Sequence, residues 1–230
     1  MNVLAMDTSG RALGVGVLKA GQPMCEMIVL GAKNHSATLM PMVDRALDQS
    51  GITIEDINLI ACVTGPGSFT GVRIGVSAAK ALAYACGVRC VGVNALEALS
   101  VLPFTGTVCA MLDARNNQVY TALFRGGERL CPDEAITLEK CLTQTEEAGG
   151  ALCFVGDGAI AHADTIRARF GTAVIADGFH EIRPLAVART ALRDISQSVD
   201  YLQLKPHYLR ASQAERERAQ REGTWLKDNS

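Results

Sequence analysis

Val3-Leu4-Ala5-Met6-Asp7, followed by Thr8-Ser9-Gly10-Arg11, decides the fold, because the chain repeats the pattern in its second half. An apolar strand ends on an aspartate, a polar turn follows, and Ala12 to Leu18 resumes as an apolar run. Further on, Val108-Cys109-Ala110-Met111-Leu112 ends on Asp113, Ala114 to Asn117 make the turn, and Val119 to Phe124 is rich in β-formers. Asn116 and Asn117 tolerate positive φ, which suits a tight hairpin. What comes next also recurs. Leu59-Ile60-Ala61-Cys62-Val63 enters a glycine-rich loop and a helix, and Leu152-Cys153-Phe154-Val155 enters Gly156-Asp157-Gly158 and a helix expected over 159–170. The same units in the same order predict a duplicated α/β domain.

Pro103-Phe104-Thr105-Gly106 is the expected boundary. It gives a first domain over residues 1–102 and a smaller one over 103–210. A final helix over 184–196 opens on a proline and is free to pack back on the first domain. Residues 211–230 are dense in charge and read as a solvated helix fraying into a tail, with no function assigned to Trp225.

Composition narrows the function. With 48% hydrophobic and 20% charged residues among 230, packed cores are expected and disorder is not. The balance of 22 Lys+Arg against 24 Asp+Glu excludes a general electrostatic nucleic-acid binder, leaving RNA contact to a local patch or a partner. No run approaches the ~20 apolar residues of a membrane span, and Met1 to Gly10 carries no basic leader, so a cytoplasmic protein is expected. The eight cysteines then read as reduced, buried small hydrophobes; Cys86 and Cys90 lack a second pair, and no metal is expected. The four histidines form no His-Glu-x-x-His, and no Gly-x-Ser-x-Gly elbow exists.

The strongest motif is Gly65-Pro66-Gly67-Ser68-Phe69-Thr70-Gly71-Val72-Arg73-Ile74-Gly75. A strand feeds a glycine turn and a helix, with Thr70 expected to cap it. Free N–H groups at a helix start attract anions, so the loop can cradle a phosphate. It lacks the Gly-Lys-Ser/Thr of a P-loop, however, and an equal reading is a turn whose glycines permit close backbone approach. Asp7 and Asp113 can face one another across a cleft or simply cap their turns. Asp7, Thr8, Gly65, Gly67, Ser68, Thr70, Gly71, Asp113, Gly156 and Asp157 together make a candidate vestigial nucleotide or anion site. Arg73 opposes the helix dipole and is expected to meet an acid or an anion.

The helix after this loop is unusual. From Val72 to Cys86 only Arg73, Ser77 and Lys80 are strongly polar, so burial on two sides is expected, the second cover being this chain or another protein. Over 36–50, Leu39, Val43, Ala46 and Leu47 form a core stripe, with Met40 and Met42 off it. Methionine suits adaptable contacts.

Taken together, Met6-Asp7-Thr8-Ser9, His35-Ser36 with Leu39 and Pro41, the glycine block, Asp113-Ala114-Arg115 with Val119-Tyr120, Val155-Gly156-Asp157-Gly158 and Pro206-His207-Tyr208-Leu209-Arg210 resemble the TsaB (YeaZ) family. Gln118 departs from the pattern, since many members carry glutamate there. The resemblance implies two tandem ribonuclease-H-like domains of the actin/Hsp70/sugar-kinase type. It also implies a scaffold and activator without activity of its own, needed by a complex that makes threonylcarbamoyladenosine in tRNA. Partners would be the TsaD-type paralogue that performs the transfer, the small TsaE-type ATPase and a second copy of the chain, with tRNA met through the complex. No cofactor of its own is implied, and ATP with magnesium would lie at a site shared with partners. The family's partner face falls on Leu39, Met40, Val43, Leu47, Val72, Arg73, Ile74, Val76, Ala79 and Leu82. The alternative reading is an actin-like ATPase or phosphotransferase acting alone, although Thr8-Ser9 stands where many such kinases have glycine and no lysine or base accompanies it. A peptidase lacks any catalytic constellation.

Overall fold

The computed structural model describes residues 1–32 and 34–210. The charged tail, 211–230, lies outside the described residues. In the first half, β1 (Val3–Asp7), β2 (Leu13–Lys19) and β3 (Gln22–Val29) form an antiparallel meander, and α1 (His35–Ser50) leads to β4 (Leu59–Gly65), parallel to β1. Next come α2 (Phe69–Cys86), β5 (Arg89–Asn94) parallel to β4, and α3 (Ala95–Leu99). The second half repeats the plan. It has β6 (Thr107–Asp113), β7 (Gln118–Arg125), β8 (Glu128–Arg129), β9 (Glu134–Thr137), α4 (Leu138–Ala148), β10 (Leu152–Val155), α5 (Asp157–Ala161), α6 (Ala163–Arg169), β11 (Val174–Ile175) and α7 (Pro184–Arg193). The sheets run β3-β2-β1-β4-β5 and β11-β10-β6-β7-β8, with β9 also on β7. Leu4 pairs with Ile60 as Cys109 pairs with Phe154, so the duplication holds at the level of register.

The period-two alternation of the strands builds three cores. Leu4 and Met6 face α1 and α2, together with Leu39, Val43, Val72, Val76 and Ala79. Cys109 and Met111 face the helices of the second half, with Leu138, Leu142 and Ile166. The opposite faces, Val3 and Ala5 on β1 and Val108 and Ala110 on β6, meet in one shared core with Leu96, Leu99, Val187 and Ala191. Thus α3 and α7 lie between the two sheets. The last helix rests on the first sheet, where bare strand backbone lets it approach: a Cβ on Gly16 would stand 2.9 Å from Pro184 Cβ. Glu26 clamps this helix by pairing with Arg183 and accepting the Leu185 N–H at 3.0 Å.

Local details correct three expectations. Ser68, not Thr70, caps α2, its Oγ accepting the Gly71 N–H at 3.2 Å. The helix expected over 159–170 is two helices, meeting at His162 (φ −117°). Met42, expected off the core stripe of α1, is buried, and Met40 alone of the pair faces outward.

After α7 the chain doubles back as a strap along the first half. Val199 bridges Cys90, Leu204 is buried in the core, and the His207 N–H donates to the Thr64 carbonyl at 2.7 Å. No helix among the described residues is long and apolar enough to cross a membrane.

Candidate functional site

The two strand-end aspartates do the same local work. Asp7 Oδ1 accepts the Ser9 N–H at 2.8 Å, and Asp113 Oδ1 accepts the Arg115 N–H at 2.9 Å. Each folds its own hairpin turn, the second through Arg115, Asn116 and Asn117, all at positive φ. Between them the cleft is acidic. Asp157 Oδ1 accepts the Asp113 N–H at 2.9 Å, and Glu181 lies near enough to Asp7 and Asp157 to feel both charges. Burial pushes the Asp7 carboxyl up to about 6, against the pull of its Ser9 hydrogen bonds and of His35. Burial, then neighbouring carboxylates, raises Asp157 and Glu181 as well. The first cause of each shift is burial, which disfavours the ionised carboxyl, with Arg11, His35 and His180 pulling the other way. Among the described residues no three His, Cys, Asp or Glu side chains converge to hold a metal ion.

The glycine loop is filled by the chain itself. A Cβ on Gly71 would stand 2.0 Å from the Thr8 carbonyl oxygen, and one on Gly67 2.6 Å from that of Ser9. The Ser68 N–H donates to the Ser9 carbonyl at 2.7 Å, and the Thr8 hydroxyl donates to the Gly71 carbonyl at 2.7 Å. Gly65 lies under the His207 carbonyl. The second copy repeats the device, since a Cβ on Gly156 would stand 2.1 Å from the Met111 carbonyl oxygen. These glycines therefore let a helix start press onto the preceding strand end. The expected anion residues come together here, but the room beside Gly67 and Gly71 belongs to Thr8 and Ser9. Thr70 is exposed, at the edge of the groove on the outward side of α2.

The outward side of α1 and α2 is different. Ser36, Met40, Phe69, Thr70, Arg73, Ile74, Ser77 and Ala78 surround a groove of about 500 Å³, with Leu39 at its base. Met40 is 39% exposed, and Ala81 and Ala85 are exposed farther along α2. Six residues expected at this face are instead turned inward. Leu39, Val43, Leu47, Val72, Val76 and Ala79 are at most 6% exposed and hold the helices on the sheet. A helix resting on a sheet must commit one stripe to it, and the 72-76-79-83 spacing is that stripe. The outward set is Met40, Arg73, Ile74 and Leu82, joined by Phe69, Ser77 and Ala78, which the motif reading passed over. Their signal was the lack of any acid in α2 combined with small residues at 78, 81 and 85. Arg73 meets no acid among the described residues; its guanidinium lies over the Phe69 ring, 4.6 Å from the centroid. Among the described residues the second half does not pack on this side: α2 packs on β1, β4, β5 and α1, with the strap along one flank.

The family model for tRNA N6-adenosine threonylcarbamoyltransferase matches residues 29–216. The Bacillus subtilis tRNA threonylcarbamoyladenosine biosynthesis protein TsaB is 34% identical over 227 residues, 94% of this chain and 96% of that one. Among solved structures, a Pseudomonas aeruginosa protein described as similar to peptidase YEAZ superposes with a TM-score of 0.76 at 27% identity, over 91% of this chain and 99% of that one. Component A of (R)-2-hydroxyglutaryl-CoA dehydratase from Acidaminococcus fermentans shares the fold alone, with a TM-score of 0.54 at 9% identity over 86% of this chain and 100% of that one. With its duplicated ribonuclease-H-like architecture and a relative matched over nearly its whole length, the chain belongs to the TsaB (YeaZ) family of tRNA threonylcarbamoyladenosine biosynthesis proteins.

Proposed function

We propose that the chain is a non-catalytic subunit of the cytoplasmic machinery that makes threonylcarbamoyladenosine in tRNA, docking through the outward face of α1 and α2 onto a TsaD-type transferase. The observation that carries this is the groove between the two helices, apolar at Met40, Ile74 and Ala78 and, among the described residues, not covered by the second half. A second copy of the chain fits the same face when the transferase is absent, and a TsaE-type ATPase joins the assembled pair. The chain needs no cofactor of its own, and any magnesium nucleotide is held at a site shared with its partners. The filled glycine loop counts against the rival reading, a self-sufficient ATPase or phosphotransferase. Calorimetry with Mg-ATP on the isolated chain discriminates, since tight binding with turnover would restore that rival.

Ile74→Glu and Ala78→Arg are expected to weaken capture of the transferase by about 100-fold, the scale of a central interface contact, and to shift any homodimer to monomer in light scattering. Arg167→Glu on exposed α6 is the control and leaves capture unchanged. Capture unaffected by both groove changes, with modification still reconstituted, would overturn the proposal.

A further inference from the structure

Beside the groove, on the flank of α2 that meets the strap, lies a surface of other chemistry. Arg73, Lys80 and Tyr84 share one side of the helix, at spacings of seven and four residues. The strap lies alongside: Lys80 Nζ donates to the Leu204 carbonyl at 3.4 Å, Tyr201 meets Tyr84 with centroids 5.1 Å apart, and Tyr208 stacks on Phe69 at 4.7 Å. Two aromatic pairs thus frame two cations along about 16 Å of helix, from Arg73 to Tyr84. Exposed Lys205 adds a third positive charge.

Two features go beyond what holding the strap requires. Tyr84 is 69% exposed and Leu202 68%, whereas Tyr201 is half-buried against the core, so Tyr84 is the ring of the far pair offered to solvent. Charge is also one-sided. Neither 69–86 nor 201–210 contains an acid, and among the described residues Arg73, Lys80 and Lys205 form no ion pair. The bordering acids include Asp200, beside Tyr201, Glu55, near Cys86 at the far end of α2, and Asp133, which pairs with Arg129 and stands 3.8 Å from His207. In a chain of net charge −2, this is a local positive track with aromatic rests.

We propose that this flank binds a single-stranded segment of RNA, a base resting on Tyr84 and its phosphates on Lys80 and Lys205. Cationic grooves with exposed rings bind single strands because every base has a stacking face and every linkage a charge. The choice of RNA over another polyanion rests on the function proposed above.

The test is fluorescence anisotropy of the full chain with a labelled single-stranded RNA of about 12 nucleotides, within the usual site sizes, between about 50 and 200 mM salt. Saturable, salt-sensitive binding is expected. Lys80→Glu with Lys205→Glu weakens it about tenfold and reduces the salt slope by about 1.4, roughly 0.7 for each lost phosphate contact on a single strand. Tyr84→Ala weakens it about fivefold with the slope unchanged, as lost stacking requires. Circular dichroism and capture of the TsaD-type transferase are measured on the same proteins. Retained capture with weakened RNA binding supports the inference. Binding that does not saturate at low salt, variants that bind like the parent, displacement by poly-glutamate as effective as by unlabelled RNA, or loss of capture would each overturn it. Ala78→Arg separates the two readings: it is expected to lose the transferase and keep the RNA.

Discussion

The two halves share a plan and differ on their outer helices. In the first, α2 runs unbroken from Phe69 to Cys86, with Ala81 and Ala85 exposed and Ile74 and Ala78 half-buried on its outward side. In the second, the corresponding stretch is broken into α5 and α6, and its outer side carries Asp164, Arg167 and Arg169. Arg169 ties α6 to α4 through Glu139 at 2.8 Å and Glu146 at 2.7 Å. Such exposed pairs contribute little to stability, but they make the surface content in water. The outer helical side of the first copy is thus poorer in charge than that of the second, although Ile160 on α5 is also 45% exposed, and this charge-poor side is the one proposed above for a partner.

The largest effect expected from breaking this contrast is inside α2 itself. Val76 is 4% exposed and sits on the sheet, whereas Ala78, two residues on, lines the groove. Val76→Glu buries an unpaired carboxylate and should cost about 4 kcal/mol or more. Ala78→Glu should change stability by less than about 0.5 kcal/mol. Urea unfolding of both variants measures it, and equal losses would mean that the helix is buried on both sides.

Next are the glycines, where the halves should behave alike. Gly71→Ala and Gly156→Ala each drive a Cβ to about 2 Å from a carbonyl oxygen of the strand end beneath, and Gly156 sits at φ +94° as well. Each should cost about 3 kcal/mol, the scale of backbone overpacking. A phosphate cradle predicts instead a stable Gly71→Ala protein that loses only nucleotide binding.

Smaller is the effect of Asp7. Its carboxyl is raised from 3.8 to about 6 by burial, so protonated Asp7 favours the folded state. That contribution is complete below pH 3.8, falls as pH rises, and is gone above about 6. Asp7→Asn keeps an oxygen for the Ser9 N–H and removes the charge. It should therefore raise stability by about 2 kcal/mol at pH 7–8, with the gain vanishing near pH 4. Thermal melts across that range check the sign, and a variant less stable at pH 8 would contradict it.

Much of the fold could be read in the residues because strand alternation and the aspartate at each strand end survive in both copies. Val3 to Asp7 and Thr107 to Asp113 end in matching turns, as their sequences imply. Which way α2 faces could not be read. A helix with Val72, Val76 and Ala79 on one side and Ile74, Ala78 and Leu82 on the other has little polarity contrast, so either stripe could meet the sheet. Six residues of the expected partner face accordingly turned out to be core. The cap was misplaced for a related reason: Ser68 and Thr70 are both competent, and the close seating of Gly67 and Gly71 on the first hairpin decides between them. Glu181 carried no local signal at all. It enters the cleft because the segment before α7 returns to the first sheet, a tertiary event that no motif records.

The central claim, that the first half's helical face is the docking face, is tested most directly by hydrogen exchange of the chain with and without a TsaD-type transferase. Slowed exchange confined to α1 and α2, with α4, α5 and α6 unchanged, is the predicted result. Protection on the charged helices of the second half, or none on α1 and α2 at saturating partner, would contradict it.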